Sequence, residues 1–108
     1  MSDYASCPEN RDLLIIQMKM DDNPDEYRIK LERLTPSFRL NRSWGPYEPG
    51  SFHQKAVCVR RDYCFQIVVT DSGGDGFKNG GFVRVFQNGR IKKLLRDFSI
   101  ADRVVINC

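Results

Sequence analysis

Hydrophobic and polar positions alternate along most of this chain, and the period is two. Tyr27, Ile29 and Leu31 fall on one face of a segment whose other face carries Arg28, Lys30 and Glu32. That is the pattern of a half-buried strand. Residues 63–71 repeat it, with Tyr63, Phe65, Ile67 and Val69 in phase. LLIIQMKM, residues 13–20, is continuously apolar in its first half and alternates in its second, and also reads as a strand. HQKAVCVRR (53–61), FVRVFQ (82–87) and DRVVINC (102–108) complete the set. RIKKLLRDF (90–98) fits either a strand or a short helical turn.

The breaks between these segments have turn chemistry. DDNPDE (21–26) contains Pro24, which forbids regular structure there, so the strands on either side are expected to form a hairpin around an acidic turn. VRRDY, between Cys58 and Cys64, reads as a second hairpin turn. Asn88-Gly89 is a strong two-residue hairpin signal. Residues 35–52 form the longest irregular stretch, with Pro36, Pro46 and Pro49. Seven to eight short strands with turns between them, and no convincing helix, predict an all-β fold: an antiparallel β-sandwich. Nothing divides the chain, so residues 1–108 are expected to form one domain, with 1–11 as an N-terminal arm.

Composition narrows the class. The chain has 108 residues, 41% of them hydrophobic, with seven phenylalanines and four tyrosines. This excludes a disordered chain, and a domain of this size buries roughly 60–70% of its unfolded surface. The net charge of +3 is mild, and the basic residues are scattered rather than concentrated on one element, which argues against nucleic acid as the partner. No apolar run reaches the roughly 18 residues of a membrane-spanning helix, and no signal-peptide pattern opens the chain.

Localisation therefore rests on the cysteines. Cys7, Cys58, Cys64 and Cys108 are even in number, with one near each end, which favours oxidised pairs and a secreted protein. Of the three pairings possible, the one expected is Cys58–Cys64 across the short turn with Cys7–Cys108 joining the ends. The spacings, which are not CxxC, and the single histidine, His53, argue against a zinc site.

The candidate chemistry lies in DSGGDGFKNGG, residues 71–81. Asp71 and Asp75 are four apart in a glycine-rich loop that can curl their carboxylates toward one point. Asn79 would add an amide oxygen. Calcium takes six to eight such oxygens. An EF-hand is excluded, because its third and twelfth positions would be Gly73 and Phe82 and the flanks are strands. The bland alternative is a plain turn, since Asp and Gly are turn formers. The acidic turn holding Asp21, Asp25 and Glu26 would complete the ligand set if both loops left the same end of the sandwich.

Several stretches together resemble a known module. The order runs from Asp-Asn-Pro-Asp-Glu through an alternating strand to Gly45-Pro46-Tyr47, then VCVRRDYCFQIVVTDSGGDGF, then GGFVRVFQNG. It resembles the DSxGDG-type β-sandwich module of secreted algal and bacterial multidomain proteins, over residues 13–98. The resemblance implies a jelly-roll-like sandwich, extracellular and non-catalytic, appended to proteases or adhesins. It also implies calcium at Asp71 and Asp75 and, more weakly, at Asp21, Asp25 and Glu26. The chain departs from the pattern at Asn23, where the family turn has Tyr, and at Ile29, where it has Trp. Phe77 and Lys78 stand where the family often has paired cysteines, which removes one family disulfide.

The function expected is a calcium-stabilised recognition or adhesion module, with no enzyme activity, whose partner is a glycan or an extracellular protein. It would be a monomeric unit of a larger protein. Trp44 and Tyr47 are the candidate ligand surface, although a small domain more readily uses such residues as a lid on its core. A polyanion-binding β domain is the alternative, using Arg84, Arg90, Lys92, Lys93 and Arg96, where the bland reading is a charged edge strand. A purely structural accessory domain is the third.

Overall fold

The computed structural model describes residues 7–21, 27–45, 47–71, 81–95 and 101–108. They form eight strands: β1 (Arg11–Lys19), β2 (Tyr27–Arg33), β3 (Arg39–Trp44), β4 (Phe52–Arg60), β5 (Phe65–Asp71), β6 (Phe82–Gln87), β7 (Arg90–Leu95) and β8 (Ala101–Ile106). Two four-stranded antiparallel sheets result, in the orders β4-β1-β6-β7 and β3-β2-β5-β8. The fold is the expected all-β sandwich.

Period two decides which residues are inside. Leu14, Ile16 and Met18 on β1, with Val83 and Val85 on β6, face Tyr27, Ile29 and Leu31 on β2 and Phe65, Ile67 and Val69 on β5. Each such side chain contributes about 1.5–3 kcal/mol by leaving water. Three of the four outer strands have little to bury. β3 has no buried residue, while β4 and β7 bury only Val59 and Leu95 respectively. They carry charges, which discourages edge pairing with another chain.

The expected hairpin of β1 with β2 does not form. β1 pairs with β4 and β6, whereas β2 pairs with β3 and β5. Both strands are apolar on one face, and the chain crosses between sheets so that those faces meet across the core. The VRRDY turn is likewise a crossing, from β4 in one sheet to β5 in the other. Residues 90–95 are a strand, and the irregular stretch 35–52 contains β3, a mostly polar edge strand whose Leu40 and Trp44 are separated by Arg42.

The expected disulfide pairing is corrected with that crossing. Cys7 bonds Cys58, and Cys64 bonds Cys108, with Cα separations of 5.7 and 4.8 Å. Cys58 lies on β4 opposite Leu13 of β1, within reach of the arm that precedes β1. Cys64 precedes Phe65, which pairs with Ile106 of β8, so Cys108 arrives beside it. Each bridge thus ties a chain end to the sheet its strand belongs to.

Candidate functional site

The strand registers sort the connections into two poles. Lys19 stands opposite Phe52 and Phe82, and Tyr27 opposite Asp71. The β1–β2, β3–β4, β5–β6 and β7–β8 connections therefore leave one pole. The β2–β3, β4–β5 and β6–β7 turns occupy the other pole, with both disulfides and the C-terminal residues.

Both acidic loops leave the first pole. Asp71 is the last residue of β5, on its inner face and fully buried. Asp21 follows β1 and is 4% exposed. The Tyr27 hydroxyl donates a 2.6 Å hydrogen bond to Asp21 Oδ2, while the Tyr27 backbone is paired with Asp71. One residue thus spans the roots of the two loops. The Asp21 carbonyl accepts from Gly50 N, and Met20 N donates to Ser51 O, which fastens the same root to the β3–β4 connection. Asp25, Glu26, Asp75 and Asn79 lie outside the described residues. Among the described residues no group of three or more His, Cys, Asp or Glu side chains converges.

Trp44 and Tyr47 are partly buried and pack against the core cluster. Tyr47 stacks on His53 with ring centroids 3.8 Å apart, and burial pushes its hydroxyl pKa up. His53 Nε2 lies 3.0 Å from Ser51 Oγ. These aromatics close the core beneath the β3–β4 connection.

The basic segment is divided by the fold. Lys93 forms a 3.0 Å ion pair with Asp102 across the β7–β8 seam, and the Arg84 guanidinium sits over the Phe82 ring at 4.5 Å. Arg90 and Lys92 are exposed on edge strand β7, and Arg96 lies outside the described residues.

Two groupings had no continuous signal in the sequence. At the disulfide pole, Asp12 is buried on β1 at 3% exposure. Its carboxylate accepts hydrogen bonds from Arg61 Nε, Gln87 Nε2, Asn88 Nδ2 and Asn107 Nδ2, at 2.9–3.0 Å. Burial alone would raise the Asp12 pKa, but those donors outweigh it and hold the carboxyl at about 2. On the same pole, five arginines from four strands line one cleft with Tyr63. Their spacing in the chain is 11, 33, 39, 42 and 60, which only the strand pairing makes into neighbours.

Compared with known protein families, curated proteins and solved structures, the chain matches none.

Proposed function

We propose that this chain is a non-catalytic recognition or adhesion module that works outside the cell and is stabilised by calcium at its acidic pole. The observation that carries the reading is the position of Tyr27, opposite Asp71 and hydrogen-bonded to Asp21. It brings the roots of both acidic loops together, which is the condition for one ion to draw ligands from both. Asp71 and Asp21 supply buried carboxylates at the base. Asp75, Asn79, Asp25 and Glu26 are the ligands proposed from the loops themselves. Calcium takes oxygen ligands of this kind. Two disulfides suit an oxidising compartment. The DSxGDG resemblance points the same way, and stacking of His53 on Tyr47 suits a packing role for the single histidine.

The test is a thermal melt of the oxidised protein in EDTA and in millimolar calcium, beside Asp71→Asn and Asp75→Ala. A ligand at a hundredfold excess over its Kd adds about 2.7 kcal/mol, which moves the midpoint of a domain this size by roughly 10 °C. Calcium should raise the wild-type midpoint and leave both variants where they are. The loop variant Asp75→Ala keeps the test valid even where Asp71→Asn fails to fold. An unmoved wild type, or an equal rise in Asp75→Ala, overturns the calcium site.

A further inference from the structure

The edge strands of the two sheets meet at two seams. One lies between β7 and β8 and is bridged by Lys93, which bonds both Asp102 and the Arg103 carbonyl. The other, between β3 and β4, holds a cleft of about 310 Å³ at the disulfide pole. Arg11, Arg33, Arg39, Arg42 and Arg60 line it, together with Asn41 and Tyr63. Its volume is at the lower end of ligand sites, which run to roughly 300–1,000 Å³.

Some of these arginines are held in place. The guanidinium groups of Arg33 and Arg60 lie over the Tyr63 ring, at 5.4 and 4.3 Å. Arg33 also donates to the Ser37 carbonyl and hydroxyl, both at 3.1 Å. Arg60 is forked onto Asp62 through Nε and Nη2; that hydrogen bond lowers the Asp62 pKa, and the charges of Arg60 and Arg11 add to it. Arg11, Arg39 and Arg42 have no carboxylate partner among the described residues. An edge strand needs charge facing outward to stay monomeric. It does not need five arginines around one concavity, of which only Arg60 has a carboxylate partner among the described residues, because like charges repel. That arrangement is offset when an anion occupies the cleft.

We infer that this cleft binds an anionic glycan, one carrying sulfate or uronate groups. The inference deepens the recognition reading by naming a ligand and a site, and it does not depend on the calcium. The cationic lining is all arginine, without a lysine. A planar guanidinium fork matches the paired oxygens of a sulfate or carboxylate, whereas a lysine supplies only a point charge. Asn41 offers a donor and an acceptor for sugar hydroxyls. Single-stranded nucleic acid would need free aromatic faces for its bases. The lining aromatics are Tyr63, which carries two guanidinium groups, and Phe65, which is 3% exposed.

Calorimetric titration of the oxidised, unglycosylated chain tests this. The Asn41-Arg42-Ser43 triplet fits the N-glycosylation pattern, so the host must leave Asn41 bare. The probes are a heparin-derived tetrasaccharide, its fully desulfated counterpart, neutral maltotetraose and an eight-residue oligothymidylate. Two variants of equal charge change accompany the wild type: R39A/R42A in the cleft and R90A/K92A on the β7 edge, all four residues being exposed.

The heparin fragment should bind the wild type, and the cleft variant should weaken it by about tenfold or more. The β7 variant should change it less than twofold, and EDTA should leave it unchanged. Retained binding by the desulfated fragment would identify uronate as the recognised group, and its loss would identify sulfate. Equal weakening by the two variants overturns the cleft and leaves a diffuse charge effect. Oligothymidylate or maltotetraose binding as tightly as heparin overturns the anionic-glycan assignment. No binding of any probe overturns it as well, while the calcium melt still decides the acidic pole separately.

Discussion

Asn107 donates a 2.9 Å hydrogen bond to the carboxylate of Asp12, 95 residues earlier in the chain. Three further donors reach the same carboxylate: Arg61 from the β4–β5 crossing, and Gln87 and Asn88 from the end of β6 and its turn. Asn88 also accepts from Leu13 N through Oδ1 and donates its own N–H to the Leu13 carbonyl. Asp12 therefore clasps the first strand, both turns beside it and the last residues together. Asp12→Asn keeps the shape but turns an amide group toward donors that need an acceptor. Asp12 is buried while Arg61 and Asn88 reach solvent, so the loss is that of charge-assisted bonds to a buried acceptor, about 2 kcal/mol, a fall of roughly 10 °C in the melting midpoint. A fall of less than about 2 °C would mean the four donors find water instead.

The same clasp sets a pH dependence. The Asp12 carboxyl is depressed from 3.8 to about 2 in the folded protein. A depressed carboxyl contributes stability that is present above the unfolded pKa and is lost as pH falls through the folded one. The contribution is about 2 kcal/mol, complete above pH ~5 and largely gone by pH ~2. Urea unfolding in EDTA at pH 7, 4 and 2.5 should show the gap between wild type and Asp12→Asn narrowing steadily toward acid. A gap that stays constant would place the cause of the variant's cost in packing rather than in charge.

Strand positions were legible from the sequence because period two is a property of one segment. Tyr27, Ile29 and Leu31 turned inward as their alternation required. Sheet membership was not legible, because it depends on which apolar faces meet. LLIIQMKM and YRIKLER look alike whether they pair edge to edge or face each other across the core. The cysteine pairing failed for the same reason, since a five-residue gap looks like a hairpin until the chain is known to change sheets. β3 was hidden because its apolar residues do not alternate cleanly: Trp44 packs on the core, Leu40 is half exposed, and Arg42 lies between them. At the candidate sites, Asp21 and Asp71 were legible as acidic residues beside turns. Their meeting at one pole was not, and neither was the arginine cleft, whose members come from four strands.

The two disulfides should be nearly equal in effect. They join residues 51 and 44 apart, and the chain-entropy model assigns each about 4 kcal/mol. A small domain has about 5–15 kcal/mol in total. Replacing either pair with alanine should leave a folded but weakened protein, and replacing both should leave one that is largely unfolded at 37 °C. The connectivity itself is checked by tryptic mapping without reductant. Cleavage after Arg60 or Arg61 separates Cys58 from Cys64. Peptides holding Cys7 with Cys58 and Cys64 with Cys108 are expected, and a Cys58–Cys64 bridge would refute the sheet crossing.

At the acidic pole, Tyr27→Phe separates a structural role from a ligand role. Tyr27 is 1% exposed, and its ring belongs to the core, so phenylalanine fills the same space. What is lost is the hydroxyl donor to Asp21. In EDTA the variant should be less stable by about 1–3 kcal/mol, the cost of removing a donor from a buried carboxylate. Its calcium-dependent rise in melting midpoint should persist, because Asp21 keeps its oxygens and only its orientation is less restrained. Calcium would then recover part of the loss by taking over as the partner of Asp21. A variant that is destabilised in EDTA and gains nothing from calcium would mean that the hydroxyl aims Asp21 at the ion. A variant that is not destabilised at all would mean that Asp21 is satisfied without Tyr27, and that the two loop roots are joined by the backbone pairing of Tyr27 with Asp71 alone.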